Sequence, residues 1–332
     1  MAIGCDIGTS NLLVAKKAGP DVEVKRLRNA FVEINDEQKQ HLASSSLSAV
    51  EIKGKSYIVG DEAVAMARIL SRPLRRPMAS GILNPTEVDA RAVVGALVKA
   101  LVGEPQQPDE LCAFSVPAVA LDLPGGNTVW HTGFFTQLLE QLGYQAEPVN
   151  EALAIIYSDC AAEDHCGIAI SHGAGQVNVA ASYKLLGNLQ FSIARSGDWI
   201  DRNTSAALGV SVADVLKVKE DPHFDLMDAE ETFDELGLAL TFHYRAMIKY
   251  EIGHLLEQWR SMKGQLNFPE PVPIVLSGGT AAIKGFLELW CQQFDSMKKK
   301  MPVPFKIKEI RMAQDPFGAV ARGLLHYALA KA

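Results

Sequence analysis

The sequence lacks the features that mark membrane, secreted and nucleic-acid-binding proteins. It has no run of 18 or more apolar residues and no basic-then-apolar leader before its first strand pattern. Neither a spanning helix nor a secretion signal is therefore expected, and the cytoplasm is the expected compartment. Cysteine is sparse: Cys5, Cys112, Cys160, Cys166 and Cys291 include no C-x-x-C pair. An odd number scattered through apolar segments points to reduced, buried thiols. Cys160 and Cys166 flank an acidic, His-containing turn, but no further ligands stand at metal spacing, so no zinc site is expected. Positive charge is short as well: 32 Lys and Arg stand against 39 Asp and Glu, a net charge of -7. That balance argues against a general nucleic-acid binder, which needs clustered cations to neutralise phosphates. The two short basic runs, "SRPLRRPM" (71–78) and "MKKKM" (297–301), read as solvated surface. No low-complexity tract interrupts the chain.

What is present is a globular composition, 48% hydrophobic and 21% charged over 332 residues, long enough for two domains with a core each. Strands and helices alternate in two successive blocks, which is the α/β class. Each block opens on a hairpin with a Gly-rich turn, "GCDIGTSNLLVAKK" at 4–17 and "IAISHGAGQVNVAAS" at 168–182. Aligned without gaps, Asp6 falls on Ser171, Gly8 on Gly173, Ser10 on Gly175 and Val14 on Val179, the footprint of a duplication.

Between and after these hairpins the apolar spacing predicts helices from about Glu62, within 85–103, and at 127–143. Further helices are expected behind Asn150 as N-cap, behind Asp198 as cap, from Ser211, from about 228 to 262, from 281 to 297, and at 315–330 with Pro316 in the first turn.

A strand–turn–strand carrying Gly and small hydroxyl residues can point successive backbone N–H groups at an anion. Two such turns facing each other would grip the β- and γ-phosphates of a nucleotide, with the Asp6 carboxylate towards metal-bound water. Taken singly, either turn also fits an ordinary hairpin whose glycines serve positive φ. A third element, "VLSGGTAAIKGF" at 275–286, runs a buried strand into Gly278-Gly279 and then a helix. That arrangement lets backbone pack against a planar ring, as an adenine site requires.

With the three elements in this order, the chain resembles the actin-like ATPase superfamily, which also contains the heat-shock chaperone ATPases. It is most similar to compact bacterial actins of the MreB and magnetosome-filament type. "CDIGTSN" resembles the family's first phosphate loop, "PVNEALAIIYS" its first connecting helix and "SHGAGQVN" its second phosphate loop. "SGGTAAIKGF" resembles the adenosine motif and "DPFGAVARGLLHYAL" the second connecting helix, so the likeness covers nearly the whole chain. It implies duplicated actin-like (ribonuclease H-like) domains around a central nucleotide cleft. Domain I would be 1–165 plus 312–332, with an outer lobe at about 27–80; domain II would be 166–311; the helices near Glu151 and Pro316 would form the hinge.

The resemblance also implies ATP and Mg2+ as cofactors. Asp6, Gly8, Thr9, Ser10 and Asn11 would surround the phosphates and the metal ion, with Asp6 the metal-side carboxylate. Gly173, Ala174, Gly175 and Gln176 would form the second loop, Gly278, Gly279 and Thr280 the adenosine site, and Lys217 the nucleotide-contacting lysine. Glu151 falls where the family places the residue that orients or activates the attacking water. On residue chemistry alone it reads first as an ordinary N1 glutamate stabilised by the helix dipole behind Asn150.

The departure is Ser171, where the family pattern begins its second loop with an aspartate that holds magnesium through water; Asn178 replaces another aspartate of many relatives. A hydroxyl brings no charge to a metal. His172 cannot stand in, because neighbouring strand residues point to opposite faces. The expectation is a clamp that binds nucleotide while hydrolysis is slowed or lost.

Three functions fit to different degrees. A filament-forming bacterial actin would assemble with itself and position a cell component or cargo through an unidentified protein partner. A non-polymerising scaffold would instead bind ATP and be read by a partner with little or no turnover. A small-molecule kinase would need a carboxylate base beside the γ-phosphate and a substrate pocket, and no motif supplies either.

Overall fold

The structure is a computed structural model that describes residues 2–42, 49–125, 128–228, 235–262, 264 and 266–332. Strands β1 (Ala2–Ile7), β2 (Asn11–Ala18) and β3 (Asp21–Arg28) form consecutive antiparallel hairpins. β4 (Phe31–Ile34), α1 (Asp36–Leu42), β5 (Val50–Ile52), β6 (Lys55–Val59) and α2 (Asp61–Ile69) build an outer lobe. Residues 43–48 of that lobe lie outside the described residues. A two-residue-per-strand hairpin, β7 (Met78–Ala79) and β8 (Ile82–Leu83), leads to α3 (Ala90–Val102), β9 (Leu111–Val116), α4 (Thr128–Gln141), β10 (Gln145–Asn150) and α5 (Glu151–Asp159). The second half runs β11 (Gly167–His172), β12 (Val177–Tyr183), β13 (Leu186–Ile193), α6 (Gly197–Leu208), α7 (Val212–Lys219), α8 (Glu235–Ser261), β14 (Val272–Ser277), α9 (Phe286–Lys298), β15 (Ile307–Met312) and α10 (Ala319–Lys331).

Two five-stranded mixed sheets result, ordered β10-β9-β1-β2-β3 and β13-β12-β11-β14-β15. They have one topology: a three-strand antiparallel meander with two parallel strands added beside its first member. The registers repeat too. Asp6 pairs with Leu13 and Ile7 with Leu12 in the first hairpin; Ser171 pairs with Asn178 and His172 with Val177 in the second, each 165 residues on. The duplication suggested by the two aligned glycine turns thus extends through both sheets.

Alternation along the strands sends Ile3, Cys5 and Ile7 into one apolar core with Val93, Val94 and Phe135, while Ala2 faces the other way. That other face is lined by small residues on both sheets, Ala113 from the first and Ala169 and Ala180 from the second, and it receives α5 and α10. Small side chains let two helices sit between two sheets. The crossing of α5 and α10 is closest at Gly323, where a Cβ would stand 1.7 Å from the Ala154 carbonyl oxygen. The second half has its own core around Tyr244, Ile248, Phe286 and Trp290.

Most expected elements occur, with differences at helix starts. The helix expected from 127 is α4; residues 126–127 lie outside the described residues, as do 229–234 ahead of α8. Asn150 caps α5 by accepting from the Leu153 amide at 3.0 Å, and Ser211 opens α7 with a reciprocal capping box to Asp214. The N-cap position of α6, however, is Ser196, whose hydroxyl donates to Ala174 O rather than capping the helix; Asp198 sits in the first turn, its carboxylate taken by a partner elsewhere. α9 begins five residues later than 281, because Gly278 (φ 98°) and Gly285 (φ 80°) fold the intervening segment into turns. Pro316 likewise precedes α10, whose first N–H groups are met by Asp315: Gly318 N donates to its Oδ1 at 3.0 Å and Ala319 N to its carbonyl at 2.8 Å.

Candidate functional site

The two glycine turns close in the same way. Gly8 N donates to Asn11 O at 3.0 Å, and Gly173 N donates to Gln176 O at 3.0 Å. Each turn leaves its tip amides over: the N–H groups of Thr9, Ser10, Ala174 and Gly175 donate to no protein acceptor among the described residues. All four residues line one cleft of about 1050 Å³, together with Asp6 and Glu151. Two buried acceptors in the same lining are also unpartnered, Asn11 Oδ1 and Gln176 Oε1. Buried polar groups are ordinarily paired, so this concentration of unused donors and acceptors marks a place built for a polar ligand.

Two carboxylates stand at the cleft floor. Ser115, on β9 beside β1, donates to Asp6 Oδ1 at 2.8 Å and accepts from Ile7 N at 2.7 Å. Burial raises the Asp6 pKa to about 6, against the lowering effect of that hydroxyl. Glu151, the first residue of α5, is held from the second half: Ser171 Oγ donates to Oε1 at 2.6 Å and Asn178 Nδ2 to Oε2 at 3.0 Å. Asn178 is fixed in this orientation because its Oδ1 accepts from Ala118 N at 3.0 Å. Burial first, then the negative charge of Asp6, raise the Glu151 pKa to about 8, with the Ser171 hydrogen bond opposing. The two residues that depart from the family's aspartates are therefore joint holders of Glu151.

Among the described residues no cluster of three or more His, Cys, Asp or Glu could cage a metal ion. Magnesium does not need one: it keeps several waters and binds through one or two carboxylates plus substrate phosphates. Asp6, with Ser115 on one oxygen, and the unpartnered Asn11 Oδ1 fit that mode, whereas both oxygens of Glu151 are occupied.

The double glycine joins this site at its side. Thr280 N donates to His172 O and Thr280 Oγ1 to Gly173 O, both at 3.0 Å, so the segment after β14 is bolted to the second turn. Gly278 is required there: a Cβ on it would stand 2.4 Å from His172 O. His172 itself points away from the cleft, as strand alternation requires, into a buried contact of its Nε2 with Glu251 at 2.8 Å. Lys217 is exposed and outside the cleft lining. The lysine on that helix that faces the cleft is Lys219, two residues on, paired with Asp201 at 2.8 Å. Helical periodicity explains the difference, since residues two apart lie on opposite sides.

The basic run at 71–78 is exposed only in its first four residues; Arg75 and Arg76 turn inward. Arg75 bonds Glu87 and Asp89 and lies 4.5 Å over the Phe31 ring, tying the outer lobe to the body. Arg76 turns into the cleft and bonds Ser10 and Asp198. No sequence pattern singled out Arg76; its partners are 66 and 122 residues away.

A doubled β-meander sheet, two Gly turns and a carboxylate pair facing one cleft make up an actin-like fold. The chain belongs to the Volactin family, whose model matches residues 1–328. Solved structures share the fold. A MamK double helical filament is 18% identical with a TM-score of 0.71, covering 99% of this chain and 98% of that one. A non-polymerising MamK mutant bound to AMPPNP is 18% identical with a TM-score of 0.56, covering 98% of each chain. The ethanolamine utilization protein EutJ from Carboxydothermus hydrogenoformans is 15% identical with a TM-score of 0.51, covering 98% of this chain and 89% of that one. No protein of curated function matches. No helix among the described residues is long and apolar enough to cross a membrane.

Proposed function

We propose that this protein is a cytoplasmic, nucleotide-binding actin-like protein that assembles with itself, and that ATP with Mg2+ occupies the cleft between its halves. The observation that carries the reading is the set of four unpaired amides at Thr9, Ser10, Ala174 and Gly175, contributed equally by two turns of identical geometry. Facing amide pairs suit the negative oxygens of adjacent phosphates, with no side-chain cation required. Asp6 and Asn11 would hold the magnesium ion through its waters, and the ion would neutralise charge developing on the phosphates. Glu151 would hold the water that attacks; with a pKa near 8 it also serves as a proton acceptor only once charge at the site has been neutralised. Domains at 1–165 plus 312–332 and at 166–311, hinged at α5 and α10, would close around the ligand.

Self-assembly is supported by likeness of fold to a MamK double helical filament, at a level of identity that speaks to the fold alone. A non-polymerising scaffold is favoured by a different feature, the neutral Ser171 and Asn178 beside Glu151, which supply no metal support from the second turn. Sedimentation of the full chain with ATP-magnesium, alongside calorimetric titration of the nucleotide, separates these readings. Binding with a critical concentration for pelleting is expected. Binding without pelleting selects the scaffold, and no binding at millimolar nucleotide overturns the nucleotide cleft itself.

A further inference from the structure

Arg76 is the one arginine with hydrogen bonds to both halves and to a phosphate-loop side chain among the described residues. It leaves the segment between α2 and β7, in the outer lobe, and crosses the cleft. Its Nη1 donates to Asp198 Oδ1 at 3.0 Å and its Nη2 to Asp198 Oδ2 at 2.8 Å, a two-pronged guanidinium–carboxylate pair on the first turn of α6. The same Nη1 donates to Ser10 Oγ at 2.9 Å. The Asp198 side chain is 15% exposed and that of Arg76 34%, so the pair is only partly screened by solvent. A second cross-cleft ion pair, Arg28 with Glu220 at 3.3 Å, makes a single contact to a glutamate that is 58% exposed, and pairs of that kind contribute little.

Resting on the reading of the cleft as a nucleotide site, we propose that Arg76 and Asp198 form the latch that holds the cleft shut over the phosphate loops. Release of a bound nucleotide then requires this pair to break. Three features support the assignment. The pair spans the two bodies that must separate for a ligand to leave. Its planar two-point geometry is specific to arginine and is lost on exchange for lysine. Its third contact, to Ser10, ties the latch to the turn that would cradle phosphate, so occupancy of that turn and closure of the latch share one residue. Arg76 is a positioning residue in this scheme.

The test uses the full chain. Release of a fluorescent ATP analogue is followed by stopped flow for the natural protein, Arg76→Ala, Arg76→Lys, Asp198→Ala, and the exchanged pair Arg76→Asp with Asp198→Arg. Each single variant should release nucleotide about 10-fold faster, the change expected from loss of one charge-assisted pair, and the exchanged pair should recover most of the difference, which a general loss of packing would not do. Unchanged release in the single variants, from a natural protein that does bind, overturns the latch and leaves the nucleotide site standing. Hydrogen exchange without nucleotide judges the latch independently. In Arg76→Ala, the bonded amides that close the two turns, Gly8 and Gly173, should lose protection together while those of α8 keep theirs. Unchanged protection at both turns overturns the latch even if the natural protein binds no nucleotide.

Discussion

In the first half, the strand before the glycine turn carries Asp6, a buried carboxylate that receives a hydrogen bond from Ser115. In the second half the same register position is Ser171, and the direction of bonding is reversed: it donates to Glu151. The partner positions follow suit, Leu13 in the first hairpin against Asn178 in the second. So do the helices that follow the fifth strand of each sheet, α5 starting at Glu151 and α10 at Ala319. Both carboxylates at the cleft floor thus come from the first half, and there the second supplies neutral donors. The backbone repeat sets where phosphate-binding amides lie; the side chains divide the labour. A third carboxylate at 171 would stand at hydrogen-bond distance from Glu151, whose pKa burial and Asp6 already raise to about 8, an arrangement that needs a bound cation or a shared proton.

The sharpest way to break this comparison is to make the second turn resemble the first. If Ser171 marks a lost metal support, Ser171→Asp should raise ATP turnover with magnesium by about 10²–10³-fold, the usual scale for one well-placed electrostatic contribution. Steady-state phosphate release on the natural protein, Ser171→Asp and Ser171→Ala measures it. Should Ser171→Asp instead fall below the natural protein together with Ser171→Ala, the hydroxyl is required to hold Glu151 and the asymmetry is the working form of the site.

The meeting of the two halves is the next target. Gly323 of α10 lies against Ala154 of α5 so closely that any Cβ collides with backbone. Gly323→Val should lower unfolding free energy by about 3 kcal/mol, the upper end of overpacking costs, because neither helix can move away without opening an alanine-lined layer shared by both sheets. Denaturant melts of the ligand-free protein would show it. A loss below about 1 kcal/mol would mean that the helices part easily, as a loose hinge would.

Much of this arrangement was legible from residues near one another in sequence. The two turns, Asn150 as a cap and Ser211 as a cap depend on bonds spanning three or four residues, and local pattern reads such bonds well. Long-range partners were not legible. Asp198 looks like a helix cap in sequence and instead meets Arg76, 122 residues away. Arg75 and Arg76 look like surface and are absorbed by Glu87, Asp89, Ser10 and Asp198. The choice between Lys217 and Lys219 depends on the rotation of one short helix about its axis, which packing against the cleft decides. The role of Ser171 needed the position of Glu151, twenty residues earlier and on another element.

Asn178 offers a gentler equalisation of the halves. Asn178→Leu places there the residue that the first hairpin carries at the paired position, and it removes partners from both Ala118 N and Glu151 Oε2. Leaving buried polar groups unmatched should cost about 1–3 kcal/mol of stability. The thermal melt should move down accordingly. An unchanged melt would show that the Asn178 bridge between Glu151 and the β9 side of the cleft carries no weight.

The smallest effect concerns a pair of buried histidines, one in each half. His172 has Glu251 on Nε2, whereas His131 on α4 accepts from Leu83 N through Nδ1 at 3.1 Å and has a buried Nε2 without a partner. Burial lowers the His131 pKa to about 4. The unfolded chain, titrating near 6.5, therefore binds more protons than the folded one between these values. The stability contribution is complete above about pH 6.5 and is lost progressively towards pH 4, with about 1.4 kcal/mol gone by pH 5.5. Asp6 and Glu151, with raised pKa values, act in the opposite sense over the same range, so the His131 contribution is read as the difference between the natural protein and His131→Leu in urea unfolding at pH 7.5 and 5.5: that difference should change by about 1.4 kcal/mol, and the variant should lose about 1 kcal/mol at pH 7.5 through the unpaired Leu83 amide. An equal slope in the variant would assign the acid sensitivity elsewhere. A slope changed by that amount would place this contribution in the first half, the half that also carries Asp6 and Glu151 at the cleft floor.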